Sequence, residues 1–397
     1  MAAVEAEQMP LPSSIHPNIP TVVAFDNIDR NEETSTGAGR SHRVNGIIIQ
    51  PTSATCLPPR LDINEKKKRS IEISDLSLPE YISGNKKNPP PTQTQELPSV
   101  CVTKFSEAKR YNLFWMVSRL SDPIIQKVSA WTGFNITVKN DIDVQADTIA
   151  YLPSINNPAT QRSTVYEILN RCTYIQLHLN LPGIVVLVLD QAIFCKAVEI
   201  IWAQADRFQN VFPMMGNFHT VCNLLSIIGK LFGDAGLRDL AVESGAIAEG
   251  SINKVVEGKQ YNRAIRLHKY VYKALMQIIW KKFLQFIEKN QPELYAKMDT
   301  LYQHLNEFIE DINNESMNKI LETALWKDLA STFDQYIEYL RIQNGPLSSF
   351  WMMYIDLIEL LLGFLRSNRE GDWSLFLICI QKMIPWCFAR NKVNYAR

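Results

Sequence analysis

The sequence predicts a fold class between α/β and mainly α. A disordered N-terminal segment is followed by a small mixed sheet and then by a large all-helical region. Three observations predict this fold class. Residues 1–104 hold most of the prolines and few aromatic residues. Residues 105–235 alternate between strand-like and helix-like apolar patterns, which is typical of an α/β region. Residues 236–397 carry almost only helical periodicity. These ranges are the predicted domains.

The N-terminal segment is predicted to be disordered because it is poor in aromatic residues and rich in proline. Such a segment cannot bury enough apolar surface to offset the entropy of ordering the chain. It contains a basic cluster, Lys66-Lys67-Lys68-Arg69. This cluster is either a nuclear import signal or a plain solvated stretch of a tail. The sequence therefore leaves a nuclear and a cytoplasmic location open.

The α/β region centres on an apolar run, residues 184–189, which ends at Asp190. The run is half β-branched and uninterrupted, so we expect a strand buried on both faces of the sheet. A helical pattern starts directly after Asp190. This residue is either the N-cap of that helix or a catalytic carboxylate at the carboxyl end of a strand, and both roles can hold together.

The remaining elements follow from the apolar spacing. Residues 108–120 are predicted to be a helix and residues 135–152 one or two strands, and a helix is expected over 164–177. A short link is expected at 212–217, before an apolar helix that begins near Phe218 and His219. His219 is either a satisfied core histidine or a metal ligand. A long helix over 261–288 and further helices complete the chain.

Composition excludes several classes of protein. The 397 residues carry no net charge, so no global field favours a nucleic acid or a membrane partner. The apolar runs are interrupted by charged residues, so no membrane span is expected. The seven cysteines are scattered and predict reduced thiols in an intracellular protein. Motifs for nucleotide hydrolysis, dinucleotide binding, serine hydrolysis and zinc proteolysis are missing, so no small-molecule cofactor is expected.

The long helix carries a one-sided basic face. Arg263, Arg266, Lys269 and Lys273 recur at helical spacing, and no acidic residue lies between Glu257 and Glu288. A solvated face normally mixes both signs, and a single-sign face repels itself unless a polyanion binds. The face is therefore either plainly solvated or a site for DNA.

The order of a buried strand, Asp190, a helix and then Phe218-His219 resembles RNase H-like transposases of the Mutator-like group. A set of short motifs, spread over residues 105–397, resembles a transposon-derived protein family of invertebrate genomes. The motifs are Tyr151-Leu152-Pro153-Ser154-Ile155-Asn156, Ser163-Thr164-Val165-Tyr166, Leu189-Asp190-Gln191-Ala192, Gly216-Asn217-Phe218-His219, Gly236-Leu237, Glu243-Ser244-Gly245, Tyr261-Asn262-Arg263-Ala264 and Asn394-Tyr395-Ala396-Arg397.

The resemblance implies a metal-dependent nuclease site. RNase H-like nucleases hold two Mg²⁺ or Mn²⁺ ions with three acids, one on the first strand, one on a later strand and one on a helix. Asp190 matches the second acid and would be a metal ligand. The first acid is expected near residues 148–153, where Asp147 is the nearest carboxylate. Glu359 or Asp356, three apart on one predicted helix, is expected to supply the third.

These observations predict a transposon-derived RNase H-like protein that is catalytically degenerate or truncated, since the chain ends inside one of the motifs. DNA is the expected partner, through the basic face. Whether the protein is an enzyme, and whether it forms a homo-oligomer, is left open. The alternative is a non-catalytic helical protein that interacts with other proteins or DNA, in which Asp190 is only a cap.

Overall fold

The structure is a computed structural model of the chain, and it describes residues 11–32, 39–51, 78, 81, 96–122, 127–139, 146–181, 183–343 and 345–392. The chain forms two compact units. The sheet unit comprises Met1–Thr94 and Val144–Thr220, and the helical unit comprises Gln95–Asp143 and Val221–Arg397. The predicted fold class, a small mixed sheet and a large helical region, is confirmed.

The sheet has five strands in the order β3-β2-β1-β4-β5. They are β1 (Val22–Glu32), β2 (Gly39–Gln50), β3 (Thr148–Tyr151), β4 (Val185–Leu189) and β5 (Val211–Met215). Strands β1, β2 and β3 pair antiparallel in succession, whereas β4 pairs parallel with β1 and β5 parallel with β4. This mixed arrangement is the small mixed sheet that was expected.

The central strand of the sheet comes from the segment predicted to be disordered, and this prediction is wrong for residues 22–32 and 39–50. Val23 and Phe25 are buried, with 0% and 2% of their surface exposed. Gly46 lies opposite Phe25, and a Cβ there would overlap the aromatic ring. The low aromatic content led to the wrong prediction, because the apolar residues of these two long strands are mostly aliphatic. The basic cluster 66–69 lies outside the described residues.

The predicted domain boundaries at 104/105 and 235/236 also differ from the two units. The sheet unit needs β1 and β2 from the N-terminal segment, because β1 separates β2 from β4. The helix Ser99–Ser121 instead contributes to the core of the helical unit, through residues such as Phe114 and Trp115. Sequence order and spatial order therefore do not coincide.

The helical unit is built from the first two helices and the C-terminal half of the chain, while two further helices belong to the sheet unit. The helices in chain order are α1 (Ser99–Ser121), α2 (Trp131–Val138), α3 (Arg162–His178), α4 (Gln191–Ala203), α5 (Asn217–Phe232), α6 (Leu237–Glu243), α7 (Glu249–Val256), α8 (Tyr261–Asn290), α9 (Pro292–Tyr295), α10 (Met298–Glu310), α11 (Asn314–Leu321), α12 (Ala324–Gln343), α13 (Gly345–Glu370) and α14 (Trp373–Ala389).

Helices of the sheet unit pack on the apolar side of the sheet. Helices α3 and α4 share one apolar core with the buried residues of β1, β2 and β4. Residues Val185, Leu187 and Leu189 are buried in β4, but Val186 and Val188 are partly exposed. The prediction that this strand is buried on both faces is therefore wrong.

Two other local predictions are corrected. Residues 135–138, which were predicted to begin a strand, belong instead to helix α2, where Trp131, Phe134 and Val138 are buried at spacings of three and four. The predicted link at 212–217 is largely strand β5. This strand lies at the edge of the sheet, where a proline such as Pro213 is tolerated.

Helix α13 is long and apolar enough to cross a membrane. Its most apolar window has a mean hydropathy of 1.5, and 61% of that window is buried inside the protein. Buried core helices also have this composition.

Candidate functional site

Two aspartates each follow a strand at the carboxyl edge of the sheet. Phe25 of β1 and Leu189 of β4 are partners in the parallel register, so the next residues, Asp26 and Asp190, are also neighbours. Adjacent strands lie about 4.8 Å apart, so the two carboxylates leave the backbone at positions separated by roughly that distance. Residues after the carboxyl ends of parallel strands commonly bind ligands.

Asp190 is the N-cap of α4. Its Oδ1 accepts a hydrogen bond from the amide of Ile193 at 2.8 Å, and its backbone is extended. Asp26 uses its own Oδ1 to accept the amide of Asn27 at 2.8 Å. Each carboxylate therefore has one oxygen engaged by a nearby amide. Within the described part of the chain, the second oxygen of each carboxylate has no hydrogen-bond or ion-pair partner.

The expectation that the first acid lies near residues 148–153 is not met. Asp147 precedes β3, which runs parallel to β1 at the far side of β2. It therefore lies at the amino edge of the sheet, opposite to Asp190. The carboxylate that follows the strand next to β4 is Asp26, directly after Phe25 of β1. A carboxylate directly after an apolar run, Val22 to Phe25, was the available signal, and it was missed because the segment was assigned as disordered.

The two predicted helix acids form ion pairs within the helical unit. Glu359 lies 3.1 Å from the Lys109 ammonium and accepts a hydrogen bond from the Tyr272 hydroxyl at 3.2 Å. Burial raises the pKa of Glu359, and Lys109 is the largest opposing influence. Asp356 pairs with Arg341, and burial raises its pKa as well. A cavity of about 260 Å³ lies beside these pairs.

Asp356 and Glu359 lie in the helical unit and Asp190 in the sheet unit, and the expectation that one of them supplies a third acid stays a prediction. Among the residues that the structure describes, no group of three or more histidine, cysteine, aspartate or glutamate side chains is arranged to hold a metal ion. Arg341 of α12 pairs with Asp356, and Lys109 of α1 pairs with Glu359. These ion pairs explain why two acidic residues can lie in an apolar helix. His219 is half-buried at the start of α5, with its ring 5.4 Å from that of Phe218.

The basic face of α8 divides into two parts. Arg263 and Arg266 are exposed, whereas Lys269 and Lys273 are partly buried. The Lys269 ammonium lies 4.3 Å from the centre of the Trp131 ring and donates a hydrogen bond to the Thr132 hydroxyl at 2.8 Å. The two arginines are thus the solvent-exposed part of the basic face.

Lys269 and Lys273 have lower pKa values than ordinary surface lysines. Burial, together with the nearby Arg369 guanidinium, lowers the pKa of Lys269 to about 8. Burial, together with Arg119, also lowers the pKa of Lys273. Like charges in a partly dry environment disfavour the charged form. An anion at this face would relieve that repulsion.

The protein therefore combines a unit built on a five-stranded mixed sheet with a large helical unit. The chain belongs to the family described as a domain of unknown function, DUF8702, which matches residues 130–397. No curated protein and no solved structure matches the chain. The matched range contains Asp190 and the basic face of α8, whereas Asp26 lies before it.

Proposed function

We propose that the protein is a transposon-derived RNase H-like protein that binds DNA and has little or no strand-transfer activity. The observation that carries the proposal is the placement of Asp26 and Asp190 side by side at the carboxyl edge of the sheet. This edge is where an RNase H-like nuclease uses its first two acids. Among the described residues no group of three or more potential metal ligands is present, which supports a degenerate rather than a complete nuclease site.

The acid pair fits a single divalent ion better than a pair of ions. Mg²⁺ is commonly bound through one or two carboxylates with water completing its octahedral shell. Asp26 and Asp190 each have one oxygen engaged by an amide, which leaves one oxygen on each for Mg²⁺ or Mn²⁺. A bound ion would supply Lewis acidity toward a phosphate group. A two-ion mechanism needs further ligands.

The basic face supports the DNA-binding part of the proposal. Arg263 and Arg266 are exposed on α8, and Lys269 and Lys273 lie beside them. Phosphate contacts by such residues release counterions, so affinity should fall with salt at a log–log slope of roughly −0.9 per phosphate contacted. The protein carries no net charge, so binding would depend on this local face.

A second candidate is a non-catalytic interaction protein in which Asp190 only caps a helix. The 2.8 Å hydrogen bond from Ile193 to Asp190 favours it. The substitutions Asp190→Asn and Asp190→Ala separate the two roles. Asparagine caps helices as well as aspartate does, whereas alanine costs about 1 kcal/mol at this position. Divalent-ion binding needs the charge that both substitutions remove.

The test combines thermal melting with a DNA cleavage assay in Mg²⁺ or Mn²⁺. We expect the ion to raise the melting temperature of the parent protein but not of the Asp26→Asn or Asp190→Asn variants. We expect cleavage to be slight and to disappear in both variants. Equal metal response in all three proteins would leave Asp190 as a cap alone. Rapid metal-dependent cleavage that needs both aspartates would show that the site is fully active.

DNA binding is tested with the exposed arginines alone, because Lys269 also packs against Trp131. We expect Arg263→Gln/Arg266→Gln to weaken duplex binding at ~50 mM salt, and to reduce the salt slope by about 1 for each phosphate that the variant no longer neutralises. The matched control, Lys319→Gln/Lys327→Gln, removes two exposed charges elsewhere on the helical unit. If both variants bind as the parent does, the basic face is only solvated.

A further inference from the structure

A small cavity opens beside the exposed arginines of α8. Its volume is about 210 Å³, and its lining includes Arg263, Arg266 and Tyr270. Leu267 and Ile247 supply an apolar part of the wall. Among the described residues, no carboxylate lines this cavity. Two cations, one aromatic ring and an apolar wall are therefore gathered around one space.

The three polar residues share one face of the helix. Positions separated by three, four and seven residues lie above one another on an α-helix, as Arg263, Arg266 and Tyr270 do. Arg263 donates to Gln260 at 3.1 Å and to Ser251 at 3.4 Å. Within the described part of the chain, the side chains of Arg266 and Tyr270 form no hydrogen bond, ion pair or ring contact.

Tyr270 differs from the other aromatic residues of helix α8. It is 57% exposed, whereas other aromatic residues of α8 such as Tyr272, Trp280 and Phe283 are buried. A plain solvated face does not need a large ring between cations. A ring on this face offers a flat apolar surface at about one helical turn, 5.4 Å, from Arg266.

This combination matches the chemistry of an unpaired nucleotide. Arginine guanidinium groups recognise phosphate through paired hydrogen bonds. An aromatic ring beside a cationic groove stacks on an exposed base, and this is how proteins hold single-stranded DNA without reading its sequence. A duplex offers phosphates, but its bases are already stacked on each other. The ring therefore favours a single strand.

We infer that Arg263, Arg266 and Tyr270 form a site for one unpaired nucleotide of single-stranded DNA, with the guanidinium groups on a phosphate and the Tyr270 ring on the base. The inference rests on the proposed function, since it specifies the DNA partner of the same basic face. It adds a preference for single strands and a stacking residue that charge alone does not supply.

The experiment measures binding of the full-length protein to three fluorescent DNA probes at ~50 mM salt: a short oligothymidine, an abasic strand of the same length and a duplex. Tyr270→Phe should bind oligothymidine as the parent does. Tyr270→Ala should bind it roughly 5- to 100-fold more weakly, and should bind the abasic strand like the parent. Arg263→Gln/Arg266→Gln should weaken binding to all three probes.

Each result bears on a separate step. If Tyr270→Ala binds oligothymidine as tightly as Tyr270→Phe, stacking on Tyr270 is overturned while DNA binding by the basic face stands. If the parent prefers the duplex, the single-strand site is likewise overturned. If the parent binds none of the probes, this inference and the DNA-binding part of the proposed function fail together. Thermal melting of each variant confirms that the fold is retained, as expected for exposed residues.

Discussion

Replacing Lys109 by methionine tests the ion pair that ties α1 to α13. Glu359 is buried, with 7% of its side chain exposed, while Lys109 is 33% exposed. Methionine retains most of the apolar stem of lysine but removes the charge. Of its partners among the described residues, Glu359 would then keep only the hydroxyl of Tyr272. A buried carboxylate without its counter-ion is strongly unfavourable.

The expected cost follows from the exposure of the pair. Removing one partner of a fully buried pair costs about 3–5 kcal/mol, and partial exposure of Lys109 places the loss near ~3 kcal/mol. Glu359→Gln should cost only about 1 kcal/mol, because Lys109 can turn to water and the amide still accepts from Tyr272. The double variant should recover most of the stability that Lys109→Met alone removes.

The stability lost in the Lys109→Met variant should depend on pH. Burial raises the pKa of Glu359 above its ordinary value of 4.5, so the unfolded chain releases this proton before the native protein does. Stability from this group is therefore greatest below 4.5 and falls as pH rises through the native pKa. Without Lys109 the pKa of Glu359 rises further, and each additional pKa unit corresponds to about 1.4 kcal/mol of free energy. The Lys109→Met variant should thus be destabilised more at about pH 8 than at about pH 5.

Denaturant unfolding followed by tryptophan fluorescence measures this effect. Seven of the eight tryptophans lie in the helical unit, so the signal reports mainly on it. The parent, both single variants and the double variant are compared at the two pH values. A loss in Lys109→Met that is independent of pH, or that equals the loss in Glu359→Gln, would refute the reasoning.

Three further predictions concern packing and protonation. Gly229→Ala would place a Cβ closer to the carbonyl oxygen of Val256 than unbonded atoms approach. We expect this variant to lose about 3 kcal/mol of stability in denaturant unfolding. Gly250→Ala is the control and should be nearly neutral, because the space around Gly250 is open. Leu187→Asp should abolish cooperative melting, but Val188→Thr should cost about 1 kcal/mol, because only the first is fully buried. Burial lowers the pKa of His268 to about 4. The contribution of this residue to the stability of the protein is therefore present above about pH 6.5 and is lost as the pH falls toward 4. His268→Phe should flatten that part of the stability profile, and an unchanged profile would contradict this assignment.

Much of the fold could be predicted from local patterns. The run 184–189 and the helix after Asp190 were identified because apolar spacing is a local property. The long helix α8 was predicted to end at Glu288 and ends at Asn290. The strands β1 and β2 were not predicted, because a proline-rich and aromatic-poor composition outweighed their short aliphatic runs.

The site was predicted only in part. Asp190 was correctly placed at the carboxyl end of a strand, and its capping role was one of the two alternatives. Its neighbour Asp26 lies in a distant part of the chain, so no spacing rule could pair them. Asp356 and Glu359 were suggested as further acids because helical spacing puts them on one face, but spacing cannot show which bases neutralise them.

The sequence by itself therefore determined the periods, the helix faces and the chemistry available at each position. The one-sided charge of α8 and the position of Asp190 after a strand are examples. Only the tertiary structure decided which faces are covered, and which residues from distant segments meet. Val186 and Val188 remain partly exposed, and Lys269 rests on Trp131, because burial and pairing depend on neighbours far away in the chain. Local periodicity carries no information about those neighbours.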